Sequence, residues 1–286
     1  MNRESYRRKW LRFLSEYEKL GRKVLGSQIR RSALNIPFGD LAKATYPGAI
    51  TAAIKLSDLQ QAYYQHYLSV GIKHGERVGN GINREKKKKA FNPMSFRGSF
   101  RDQLWNWIIA NNINTRIVTV QRNLIDYLVS YIAINVARGE GFDVIVQRFE
   151  GLIRSNSFYG WQIERIVRTE TLSAANYGAS FAGSVSGILQ VKQWISAKDP
   201  RTRRIRDGED FDHWDMDGIE VGENESFAVP SRFGGSENLR YPGDPKGSAS
   251  NIINCRCSVA LVPKRDADGQ LIYTDSSASA GAVVLR

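Results

Sequence analysis

At Gly187 the spacing of apolar residues changes its period. Before it, apolar residues return every three or four positions over long stretches; after it, short runs alternate at every second position. A period near 3.6 belongs to one face of a helix and a period of two to one face of a strand. The chain is therefore expected to be helical first and sheet-containing afterwards.

The helical part divides at its breakers. Trp10, Leu14, Tyr17, Leu20 and Val24 predict a helix over residues 3–32, with Arg7, Arg8, Arg22, Lys23, Arg30 and Arg31 on the rest of its surface. Pro37, Gly39, Pro47 and Gly48 mark residues 35–49 as loop with at most one short helix. Leu59, Tyr63, His66, Tyr67, Val70 and His74 place a second long helix over about residues 51–78. His66 and His74 stand two turns apart, too far to share one metal, and read as packing or helix-surface residues. The longest helical pattern covers residues 101–138, interrupted near Asn111-Asn112 and closed by Gly139 and Gly141. A short helix over 142–153 follows, then one from Gly160 to about Ser186 whose small residues around Ser173–Ala179 admit a second backbone closely.

Beyond Gly187, strands are expected at residues 191–196 and 252–262, and a hairpin from Ile219–Val221 and Ser226–Pro230. Asp268-Gly269 suggests an edge hairpin, and residues 276–286, rich in Ser, Ala and Gly, a loose tail. The expected fold class is α+β: a mainly helical N-terminal region (1–155), a small α+β module with a short, largely antiparallel sheet (156–264), and an edge hairpin with a flexible tail (265–286).

Charge separates the same regions. Residues 1–100 carry 20 Lys/Arg against 7 Asp/Glu and residues 201–286 carry 11 against 14, so the net +12 resides in the first third. Its densest point is Arg84 with Lys86, Lys87, Lys88 and Lys89, expected either to meet phosphates or an acidic partner, salt-sensitively and blind to sequence, or to be a solvated linker. Phe91, Phe96 and Phe100 either stack on bases or anchor this loop to the core. No apolar run is long enough to span a bilayer, and the basic N-terminus has no apolar stretch behind it, so the expectation is folding in a cytoplasm without a membrane partner.

Four short motifs occur in order in the second region. They are Lys192-Gln193-Trp194-Ile195-Ser196-Ala197-Lys198-Asp199-Pro200-Arg201-Thr202-Arg203, then His213 with Asp217-Gly218, then Tyr241-Pro242-Gly243-Asp244-Pro245, then Asn254-Cys255-Arg256-Cys257. Arg168-Thr169-Glu170 with Asn176 opens the same stretch. Over roughly residues 160–262 this set resembles the C-terminal module of the Mu F-like minor head proteins of tailed bacteriophages. The resemblance implies a minor capsid protein without enzymatic activity, acting in head morphogenesis at the portal vertex. It implies as partners the portal protein, scaffold or major capsid protein, and packaged double-stranded DNA. It also implies assembly in the host cytoplasm and a final place in the capsid interior. Trp194, Asp199, Arg201, Arg203, Gly218, Tyr241, Pro242, Asp244, Asn254 and Arg256 would then be structural motif residues.

Two chemistries compete for the polar residues of the module. Cys255 and Cys257, at i and i+2, would point to one face of a strand and with His213 could hold zinc, the fourth ligand being Asp207, Asp210, Asp212, Asp215 or water. Zinc sites usually space their cysteines more widely, and buried inert thiols beside a hydrogen-bonded His213 fit equally. The acids from Asp207 to Asp217 around His213 also raise a metal-dependent nuclease or other DNA-processing protein, which needs carboxylates converging on a cation. Two cysteines so close do not make a disulfide framework. No cofactor other than zinc is implied.

Overall fold

The computed structural model describes residues 2–85, 92–111, 113–155 and 160–274. The fold is α+β, helical through residue 184 and sheet-bearing after it. Helix α1 (Arg3–Gly21) starts where the Asn2 side chain accepts the Ser5 amide at 3.0 Å, an N-cap that satisfies one orphan donor. It buries Trp10, Leu14 and Tyr17. A five-residue π turn (Arg22–Gly26) carries it into α2 (Ser27–Leu34), so the expected single helix is one run with an inserted wide turn.

The expected loop over 35–49 holds a 3-10 turn (Phe38–Asp40) and the start of α3 (Tyr46–Ala53), where Pro47 sits in the first turn, a position needing no amide donor. The second long helix is shifted from its expected bounds. The chain breaks at Ile54, and α4 runs from Leu56 to Glu85. The long pattern over 101–138 is two helices, α5 (Pro93–Ala110) and α6 (Ile113–Ala137), parted at the expected asparagines, with Asn111 Nδ2 donating back to the Trp107 carbonyl at 2.8 Å. Helices α7 (Phe142–Arg154) and α8 (Gly160–Ser184) complete the region.

Helices α4 and α8 share the most extensive contact between elements among the described residues. Their backbones touch: a Cβ on Gly178 would lie 2.2 Å from the Gly71 carbonyl oxygen, a distance no real Cβ adopts. The small-residue stretch of α8 is therefore a crossing point. Aromatic rings close around it, with Trp107 and Tyr177 stacked at 3.7 Å and Phe100 against both Tyr177 and Phe181. Phe96 and Phe100 are buried here, so of the two readings of these rings the core anchor is the one observed. Phe91 lies outside the described residues.

The sheet has the order β2-β1-β5, from β1 (Gln190–Ile195), β2 (Glu220–Gly222) and β5 (Ser258–Pro263), antiparallel throughout. The expected hairpin between residues 219–221 and 226–230 does not form. Strand β2 pairs with β1, while β3 (Phe227–Pro230) pairs with β4 (Ser236–Leu239). The turn between β2 and β3 explains this: the Glu225 carboxylate accepts the Gly222 amide at 2.7 Å, and the Glu225 carbonyl accepts the Lys192 ammonium. These bonds direct the chain off the three-stranded sheet before it extends again. A short helix α9 (Ala249–Ile252) precedes β5. The expected edge hairpin consists of single bridges, Arg265 to Leu271 and Ile188 to Tyr273. The tail beyond residue 274 lies outside the described residues.

The cationic first helix is stitched to the sheet. Trp10 Nε1 donates to the Arg256 carbonyl at 2.8 Å and the Tyr6 hydroxyl to the Val259 carbonyl at 3.1 Å. Arg7 donates to the Ser196 carbonyl at 2.7 Å and pairs with Asp217 at 2.9 Å. One hydrophobic core runs from Trp10 to Val259. No helix of the described residues is long and apolar enough to cross a membrane.

Candidate functional site

The four motifs converge. Trp194 lies on β1, fully buried, with its ring edge-on to His213 at 5.3 Å and to Phe227 at 5.3 Å. Leaving β1, Asp199 folds the turn by accepting the Arg201 amide at 3.0 Å, and it pairs with Arg256 of the last motif. Arg201 itself is exposed. Arg203 reaches the Ile253 carbonyl, and its own carbonyl accepts the His213 amide at 3.1 Å. The Gly218 amide returns to the Trp194 carbonyl at 2.8 Å with a positive φ of 89°.

Asn176 on α8 is the polar centre of this knot. Its amide nitrogen donates to the Pro242 carbonyl at 2.8 Å and the Cys257 carbonyl at 3.3 Å. Its oxygen accepts from the Val259 amide and the Ser258 hydroxyl, both at 3.2 Å. A buried amide can be tolerated when its donors and acceptors are all used, and here one side chain ties together the Tyr-Pro-Gly-Asp-Pro loop, the Asn-Cys-Arg-Cys end and the start of β5. Asp244, buried in that loop, accepts the Arg240 and Lys246 amides at 2.9 and 3.1 Å and pairs with the Arg240 guanidinium. Tyr241 is buried, and burial drives its hydroxyl well above the ordinary phenol range.

Cys255 and Cys257 do not sit on a strand; they precede β5 in an extended loop. Asn254, in the left-handed region at φ 56°, sets the direction of that loop, and its amide is held by the Thr169 hydroxyl at 3.1 Å. The thiols nonetheless face one way. His213 Nδ1 lies 3.4 Å from Cys255 Sγ and 3.8 Å from Cys257 Sγ, and the three atoms lie within 4.8 Å of one another, all buried. His213 Nε2 is 2.6 Å from Asn251 Oδ1, and Asn251 Nδ2 donates to Glu237 at 2.6 Å. Burial raises both thiols, but for Cys255 the Cys257 thiol bond and the Arg203 charge outweigh it and hold it below the ordinary thiol value. Cys257 is pushed well above that value by burial and by its neighbour.

The aspartates do not join this cluster. Asp212 accepts the Asp215 and Ile205 amides at 2.8 and 3.2 Å, Asp210 pairs with Arg232 at 3.0 Å, and Asp207 lies exposed beside Arg204 and Arg206. Asp215 is exposed, and Asp217 is taken by Ser196 and Arg7. Among the described residues, the only group of three metal-ligating side chains is His213, Cys255 and Cys257. None of the four aspartates expected as a fourth ligand, Asp207, Asp210, Asp212 and Asp215, belongs to it.

Glu170, in the middle of α8, faces the neighbouring helices. It accepts the Tyr67 hydroxyl at 2.7 Å and pairs with Arg116 at 2.6 Å, while Arg168 lies near Glu164. A groove of about 250 Å³ beside this pair is lined by Arg116, Glu170, Pro245 and Ile253. Arg84 is exposed at the end of α4; Lys86, Lys87, Lys88 and Lys89 lie outside the described residues. Sequence reasoning missed Asn251 and Glu237. Neither belongs to a motif, and their spacing from His213 carries no signal.

Over 94 residues the chain is similar, at 29% identity, to an uncharacterized protein of Bacillus subtilis (strain 168), YqbB; the match spans 33% of this chain and 28% of that protein. No family model matches the chain. No solved structure matches it.

Proposed function

We propose that this chain is a minor head protein of a tailed bacteriophage, with a structural role in head morphogenesis at the portal vertex. The observation that supports this reading best is the closure of the motif set on itself. Trp194, Asp199, Arg203, Gly218, Asp244, Asn254 and Arg256 direct their polar groups or their backbone to one another or to the flanking helix. Residues used in this way specify a shape that a partner can recognise. The dispersal and pairing of the aspartates gives little support to metal-dependent DNA cleavage, which needs carboxylates gathered on a cation.

In this reading the chain is not an enzyme, its partners are the portal protein, scaffold or major capsid protein, and packaged DNA, and its place is the capsid interior. The basic excess of the first third suits either DNA or an acidic protein face, although Arg7 and Arg22 are spent within the fold, on Asp217 and Glu164. Co-expression of the tagged chain with its portal protein tests the reading. A complex of fixed stoichiometry on gel filtration is expected. Absence of a complex, together with metal-dependent cutting of DNA by the free chain, would replace this reading with the DNA-processing one.

A further inference from the structure

We propose that His213, Cys255 and Cys257 bind a zinc ion, through Nδ1 and two thiolates, with a water or other small donor completing a tetrahedron. The site is independent of the head-protein reading.

Three observations carry it. The first is spacing. With zinc–sulfur bonds of about 2.3 Å and zinc–nitrogen bonds of about 2.0 Å, the edges of a tetrahedron are about 3.5 to 3.8 Å. The two Nδ1–Sγ separations are 3.4 and 3.8 Å. Two of the three edges are thus already at coordination spacing, and the third, between the thiols, closes from within 4.8 Å by side-chain adjustment.

The second is the shell behind the imidazole. Asn251 Nδ2 faces the Glu237 carboxylate, which can only accept, so the amide is oriented with Oδ1 toward His213. That oxygen in turn requires the proton on Nε2, which leaves the Nδ1 lone pair pointing at the thiols. Glu237 is itself fixed by the Ser248 amide and hydroxyl at 2.7 and 2.9 Å. A ligating histidine whose other nitrogen donates to a held acceptor is the usual second shell of a zinc site. Two thiols in front of one lone pair are also more than a single S–H···N bond can use.

The third is space. A void of about 10 Å³ lies among the ligands, bounded by Ala197, Arg201, Thr202, Arg203 and Arg256. It has room for one ion, and the exposed Arg201 at its rim leaves the fourth position open to solvent. Soft thiolates with imidazole select zinc over hard cations such as magnesium or calcium. Binding releases the two thiol protons and leaves a neutral centre of two thiolates, one imidazole and the dication. The metal would link the turn at His213 to the loop at residues 255–257, which the polypeptide otherwise joins only through more than 40 residues.

The test uses the full chain, untagged and reduced, loaded with zinc chloride and desalted. Elemental analysis should give about one zinc per chain, and cobalt loading should give the thiolate-to-cobalt charge-transfer absorption. His213→Gln and Cys255→Ser should each lose the metal. Asn251→Ala keeps all three ligands and should still bind one zinc, about 10- to 100-fold more weakly. That variant keeps the test informative should the ligand variants fail to fold. Folded wild-type chain with both thiols reduced that retains no zinc and shows no cobalt–thiolate band would overturn the proposal. So would one zinc per chain retained at unchanged affinity by His213→Gln or Cys255→Ser.

Discussion

The chain has three histidines and buries all of them, yet the two places where it does so are built differently. His66 and His74 lie on α4 within the helical core. His66 meets the Thr171 hydroxyl at 3.3 Å and His74 the Tyr17 hydroxyl at 3.1 Å; each has a second ring nitrogen without a hydrogen-bond partner. Burial holds them neutral, lowering His66 to about 4 and His74, with Arg77 adding to the effect, to about 3. His213 in the motif knot has both nitrogens engaged, one by a fixed acceptor and one by two thiols. Burial alone therefore says nothing about a histidine's role. The groups behind and in front of the ring decide between packing and ligation.

The largest expected effect breaks the helical side by pH. An unfolded chain protonates His66 and His74 near pH 6.5, whereas the folded chain resists until about pH 4 and 3. Between those limits the unfolded state binds more protons, so stability falls as pH falls; well above 6.5 both states are neutral there and the effect vanishes. At about 1.4 kcal/mol per unit per group, the two together cost about 4 kcal/mol between pH 8 and 5. Urea midpoints across that range should show the loss, and His66→Gln with His74→Gln should flatten it. A profile already flat in the wild type would mean that these rings are not neutral packing residues.

Gly178→Ala attacks the same side sterically. Its Cβ has no room beside the Gly71 carbonyl, so α4 and α8 must part, at about 3 kcal/mol in thermal or urea unfolding. Asn176→Ala acts on the seam between the two regions. It strips partners from the Pro242 and Cys257 carbonyls and from the Val259 amide, and about 2 kcal/mol should be lost. Arg7→Ala removes an outer stitch to Ser196 and Asp217 and should cost about 1 kcal/mol. If Arg7→Ala proved costlier than Asn176→Ala, the polar centre of the knot would have been misplaced.

The helical region was legible because periodicity reports a buried stripe directly. The Asn111-Asn112 break and the small residues of α8 both appear where the sequence puts them. Helix bounds around Ile54 were not, since residues 51–53 continue a helical pattern while the backbone bends. The false hairpin at 219–230 shows a further limit: alternation identifies strands and not their partners, and Glu225 and Lys192, far apart in sequence, decided the pairing. The motifs marked His213, Cys255 and Cys257, though the strand expected to carry both thiols is a loop turned by Asn254. Asn251 and Glu237 left no trace, because a second shell assembles through folding and has no fixed spacing.

The most direct test of the contrast among the histidines is the nitrogen chemical shifts of all three imidazoles, recorded with and without zinc. His213 alone should respond, its Nδ1 moving to a metal-bound shift while Nε2 stays protonated, and His66 and His74 should remain neutral and unchanged. No change at His213 under saturating zinc, or an equal response at His66 or His74, would contradict the division drawn between the two sites.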